Sequence, residues 1–145
     1  MSIPSIVFVS IVLTMCNGCG EVQEKHFDTF AKAKEANMVE NGWLPSVLPV
    51  DTKQVRLLGD IDVASVYGSF VSETMGDLQV GCSQTTDLFH PPRNGPSWFP
   101  RALREAKTSA DIRSEGYQLL FCDRGEFTVA FQPAARIAYY WSIGK

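Results

Sequence analysis

The sequence predicts an α+β fold: one compact domain, mainly an antiparallel sheet, with two or three short helices packed on it. Three observations carry this. Strand-like runs rich in β-branched and aromatic residues occur at 55–58 and 65–72, and again at 117–122, 126–131 and 136–142. The last three are separated by Asp123-Arg124-Gly125 and by Gln132-Pro133-Ala134-Ala135, the punctuation of two successive hairpins. Helix-forming stretches fall between the strand runs, which argues an antiparallel sheet covered on one face.

Taken in order, residues 29–36 (TFAKAKEA) are helix formers with Asp28 or Thr29 as cap and Asn37 suited to the left-handed position beyond the end. Trp43-Leu44-Pro45-Ser46-Val47-Leu48-Pro49 reads as a stiff connector, because each proline removes an amide donor and extends its predecessor. Asp51-Thr52-Lys53-Gln54 has capping-box spacing and predicts a helical turn. In 65–72, Val66, Gly68 and Phe70 share one face, and Tyr67, Ser69 and Val71 the other. Residues 74–82 fit either a short helix or a strand. Four of the eight prolines fall in 85–100, which predicts a loop and a candidate binding edge. Ser97 caps a predicted helix through Lys107. On the final run, Tyr140 points opposite to Tyr139 and Trp141.

The chain has 145 residues, 45% hydrophobic and 20% charged, the composition of a folded protein with room for one domain. Its 13 Lys and Arg against 16 Asp and Glu give a net charge of −3, which excludes nucleic-acid binding by bulk charge.

Residues 1–19 contain no charged side chain, and 3–15 form a mostly apolar run too short to span a bilayer, as in the core of a signal peptide. The run ends in Leu13-Thr14-Met15-Cys16-Asn17-Gly18-Cys19-Gly20, which resembles the lipobox of bacterial lipoproteins. Cys19, with small Gly18 before it, is the preferred lipidation site and Cys16 the alternative. Acylation at Cys19 removes Cys16 with the peptide and leaves Cys82 and Cys122 as an even pair. The resemblance implies a signal peptide at 1–19, a tether at 20–26 and a domain at 27–145. It also implies a lipid-anchored location in the bacterial cell envelope. Because Gly20 rather than Asp follows the acylated cysteine, it further implies the outer membrane, facing the periplasm.

Cys82 and Cys122 are expected to form a disulfide after export, stabilising the domain by about 4 kcal/mol in the chain-entropy model. The one close pair, Cys16 and Cys19, lies in the leader, and Cys82, Cys122, His26 and His90 of the mature chain lack the short paired spacings of zinc sites, so no metal and no cofactor is expected. Asp60-Ile61-Asp62 sets two carboxylates on one face of an extended segment, an arrangement able to hold a divalent cation. One of them capping a turn is the more economical reading. His90, beside Pro91-Pro92, has no orienting partner in the sequence, and no nucleophile elbow is present, so no catalytic residue is assigned. Asp60, Asp62, His90 and Trp43 remain as binding candidates.

Gly42-Trp43-Leu44-Pro45-x-x-Leu48-Pro49, with Val55, Asp60-Ile61-Asp62 and Tyr67-x-x-Phe70, resembles a motif set of small bacterial lipoproteins and exported proteins that share a GWLPxxLP connector. The resemblance is best over 27–72 and departs from the pattern at Val63-Ala64, where a polar residue is usual. It implies export and a single compact domain, and adds no catalytic residue. The expected role is a non-enzymatic binding module anchored in the membrane by lipid, with an envelope protein as partner. The alternatives are an immunity-type protein that neutralises an envelope-delivered toxin, and a cell-wall hydrolase or transferase using Asp60, Asp62 and His90.

Overall fold

The computed structural model describes residues 22–84 and 89–143. Its strands are β1 (Val22–Thr29), β2 (Lys53–Asp60), β3 (Ser65–Val71), β4 (Cys82–Ser83), β5 (Gln118–Cys122), β6 (Phe127–Phe131) and β7 (Ile137–Ser142). They make one seven-stranded sheet in the order β1-β2-β3-β7-β6-β5-β4. Every pairing is antiparallel. The two meanders, β1-β2-β3 and β5-β6-β7, join where β3 pairs with β7.

The sheet is covered on both faces, not on one as the sequence suggested. On the first face, Phe30 and Ala33 of α1 (Phe30–Glu35) and Leu44 and Leu48 of the connector pack on Val55, Leu57, Phe70 and Tyr140. On the second, Phe99, Leu103 of α3 (Arg101–Glu105) and Ile112 of α4 (Ser109–Ser114) pack on Tyr67, Leu119, Ala130 and Trp141. The burial of β3 shows the consequence, since both of its alternating sets are buried as far as Phe70. On the second face, Tyr67 and Trp141 are core residues with their polar ends bonded. Tyr67 donates to the Arg93 carbonyl at 2.6 Å and Trp141 Nε1 to the His90 carbonyl at 2.7 Å. The sheet dominates, and the helices matter less than the sequence implied, since none among the described residues exceeds six residues.

Several local expectations meet the structure directly. Thr29 caps α1 by accepting from the Lys32 amide at 3.2 Å, and Asn37 takes the left-handed conformation, φ 59°. Others are corrected. The expected tether overlaps β1, which pairs with β2 from Val22 onward, so the sheet starts before residue 27. Residues 74–82, open between a short helix and a strand, hold both: a 3-10 turn (Met75–Asp77), the single turn α2 (Leu78–Gly81) and the start of the short β4. The helix expected over 97–107 is only α3, and a second helix follows. Thr108 and Asp111 form a reciprocal capping box that starts α4, and Ala106 before it is extended.

Asp51 makes no helical turn. Its carboxylate reaches across to the end of β3, accepting from the Ser72 hydroxyl at 2.7 Å, the Glu73 amide at 2.8 Å and the Thr74 hydroxyl at 2.8 Å. These bonds, the Ser72 one foremost, hold the Asp51 carboxyl below its usual pKa of 3.8. A lowered folded pKa contributes stability that is present above the unfolded value of 3.8 and is lost as the pH falls through the folded value. Asp51→Asn is therefore expected to destabilise by about 1 to 2 kcal/mol at pH 7. In urea unfolding curves, the gap between variant and wild type should narrow steadily below pH 4. A gap unchanged at pH 2 would show that the carboxylate charge is not what the three donors hold.

Candidate binding site

Two clefts open at the end of the sheet where β1 begins, β2 ends and β7 finishes. The first, about 240 Å³, is lined by Asn41, Trp43, Gly59, Asp60 and Ser65 among others. The second, about 310 Å³, is lined by His90, Glu126, Thr128 and Trp141 among others. The structure thus brings Trp43 and Asp60 together and places His90 elsewhere.

Trp43 reaches the first cleft because the chain turns sharply after α1. Gly42 has φ +73°, and the Trp43 amide donates back to the Met38 carbonyl at 2.9 Å. The Trp43 carbonyl accepts from the buried Tyr140 hydroxyl at 3.1 Å, which pins the connector to β7. Its indole lies on the bare backbone of Gly59, so close that a Cβ there would be 2.7 Å from the ring. The Lys25 ammonium stands 5.2 Å from the indole centroid, a cation–π contact from β1. A half-buried ring on a fixed backbone gives the cleft an apolar wall.

Asp60 ends β2. One of its carboxylate oxygens accepts from the Asp62 amide at 3.1 Å, an Asx turn that starts the β2–β3 connection. The pair Asp60 and Asp62 is thus a turn device in its bonding, with Asp62 contributing its amide. Asp60 also lies near Tyr67, whose hydroxyl pKa is raised by burial and then by the Asp60 charge. His90 uses its carbonyl to accept from Trp141, which fastens the 89–100 segment over the second face. The loop expected as a binding edge is, in this segment, part of the cover.

Cys82 and Cys122 sit directly opposite each other on β4 and β5 and form a disulfide. Cys19 and Cys16 lie outside the described residues. Asn41, Ser65 and Lys25 complete the first cleft and its wall without having been singled out by the sequence. Only Lys25 carried a signal, since it shares a β1 face with Phe27, toward the first-face core. On the opposite face of β2, Arg56 bonds Glu24 at 2.6 Å and lies 4.4 Å from the Trp98 centroid. That guanidinium holds the Glu24 carboxyl below its ordinary value.

The first cleft offers one carboxylate, one amide and one hydroxyl around an indole, a set suited to gripping a polar group or side chain by hydrogen bonds. Among the described residues no cluster of three or more His, Cys, Asp or Glu side chains could hold a metal ion. No helix of the described residues is long and apolar enough to cross a membrane. No curated protein and no solved structure matches the chain. Residues 21–71 match the family model of the YbbD head domain, a stretch that contains every residue lining the Trp43 cleft.

Proposed function

We propose that this chain is an exported, lipid-anchored module of the bacterial cell envelope, acylated at Cys19, held at the outer membrane and facing the periplasm. It binds another envelope protein without chemistry of its own. The observation that carries the reading is the Cys82–Cys122 disulfide, because such bonds persist where the surroundings are oxidising. The uncharged leader supplies the route there. The likeness of residues 21–71 to the YbbD head domain supports an exported protein. The contact assigned to the partner is the Trp43 cleft, which the matched stretch builds alone. Acid–base chemistry by Asp60 with His90 finds no support in the geometry, since the two line separate clefts.

In-cell photo-crosslinking tests this. A crosslinking residue at Asn41, on the cleft rim, is expected to capture one stoichiometric envelope protein, and the same residue at Ala134, in the β6–β7 connection at the other end of the sheet, is expected to capture none. Trp43→Ala should reduce the Asn41 product at least tenfold, the effect of losing an aromatic anchor worth about 2 kcal/mol. Equal capture from both positions, or none from either, would contradict the assignment.

A further inference from the structure

We infer that the end of the sheet where β1 begins is a lipid-contact surface, with Val22, Ile61 and Val63 seated in the interfacial layer of a phospholipid bilayer. This rests on the anchoring at Cys19 proposed above and adds how the domain meets the membrane.

Val22 pairs with Asp60, so the start of β1 lies at the root of the β2–β3 connection. Ile61 and Val63 follow in a tight turn, closed by the Ala64 amide donating to the Ile61 carbonyl at 3.3 Å, with Ala64 at φ 49°. Turns of this kind are ordinarily filled by Gly, Asn, Asp or Ser. Here two β-branched aliphatic side chains stand in water instead, Ile61 51% and Val63 58% exposed, with Val22 at 52% beside them. They are three of the five large hydrophobic residues exposed among the described residues. A fourth, Val50, precedes the opposite end of β2, about 23 Å away along a strand of this length.

The position of the anchor selects the occupant. Cys19 is three residues before Val22, and three extended residues reach at most about 10 Å. An acylated Cys19 therefore keeps the start of β1, and with it the Ile61–Val63 turn, against the headgroup layer, while the Val50 end points away. Three aliphatic side chains would not hold a free protein on a bilayer. Tethered there by acyl chains, the same weak contact faces a high effective concentration of lipid and suffices to fix orientation. Asp60 precedes Ile61 and Asp62 stands between Ile61 and Val63, and both keep their carboxylates in water, so the contact is shallow. It should weaken as the fraction of anionic lipid rises. The Trp43 cleft, lined by Asp60 and Ile61, then opens close to the membrane surface.

The test uses the full-length lipidated protein in vesicles of phosphatidylethanolamine and phosphatidylglycerol, with a fluorophore on Val63→Cys or on Val50→Cys. Lipids bearing a nitroxide near the headgroup are expected to quench the Val63 label severalfold more than the Val50 label, and aqueous iodide the reverse. A label on Asp62→Cys should behave like the Val63 label and lose its lipid quenching in the Ile61→Ser, Val63→Ser background, where both changes are at exposed positions. Equal quenching at both ends in a sample whose intact mass confirms acylation at Cys19 would overturn the lipid contact and leave the anchor standing. A mass without acyl chains would remove the anchoring reading, and this inference with it.

Discussion

Gly68→Ala is expected to be among the most damaging substitutions in the chain, lowering the melting temperature by about 10 °C or preventing folding. Gly68 in β3 lies directly opposite Tyr140 in β7. The Tyr140 ring crosses over it so closely that an added Cβ would fall inside the ring carbons and the hydroxyl. The ring has nowhere to go. Tyr140 is fully buried, with Phe70 at 6.3 Å and Phe127 at 5.9 Å between centroids, and its hydroxyl is committed to the Trp43 carbonyl. Relief would require moving β3 from β7, the junction of the two meanders. Gly59→Ala meets the Trp43 indole in a similar way, but that ring is only half-buried and can swing outward, so the loss should be smaller and accompanied by a change in tryptophan fluorescence. Thermal unfolding of both variants checks this. Shortening Tyr140 to leucine in the Gly68→Ala background should recover part of the loss, a coupling of about 1 to 3 kcal/mol. Additive losses would show that the ring is not the obstacle.

Breaking the Cys82–Cys122 bond is expected to destabilise the domain by about 4 kcal/mol, as the chain-entropy model gives for a loop of this length. The bond closes a loop 40 positions long that holds α3, α4 and the 89–100 segment, the whole cover of the second face. Reduction frees that cover from one of its two ends and leaves β4, only two residues long, to hold the sheet edge by itself. Cys122 is fully buried beside the first-face core, so Cys122→Ala is expected to do more harm than Cys82→Ala only through packing. Comparing both variants with the reduced wild type separates the two contributions. Unfolding midpoints in urea with and without reductant are the measurement. Superimposable curves would mean that the bond constrains nothing that folding itself does not.

Much of this architecture was legible because the deciding signals are local. The prolines of the connector, the cap at Thr29 and the hairpin punctuation at 123–125 and 132–135 each act within a few residues, and the elements fall where they point. The alternation in 65–71 also sorted Val66 and Phe70 from Tyr67 correctly. What alternation could not show is that both sets are buried. Tyr67 and Trp141 look like a wet face until the 89–100 segment supplies carbonyls for their polar ends. Asp51 misled for the same reason, since Ser72 and Thr74 are 21 and 23 positions away. The capping box at Thr108 and Asp111 was open to reading but hidden by the apolar spacing of the stretch before it. Of the candidate site, the sequence pointed to Trp43 and Asp60 separately. Their meeting depends on the β1–β2 and β2–β3 registers and on bare Gly59, long-range facts that no local pattern carries.

Export and anchoring are both read from the intact mass of the protein extracted from membranes of its native host. The expected product is a chain beginning at Cys19, carrying acyl groups on that residue, and lighter by the two hydrogens of the Cys82–Cys122 bond. A chain that still begins at Met1, without lipid and with its thiols free, would contradict export and anchoring together.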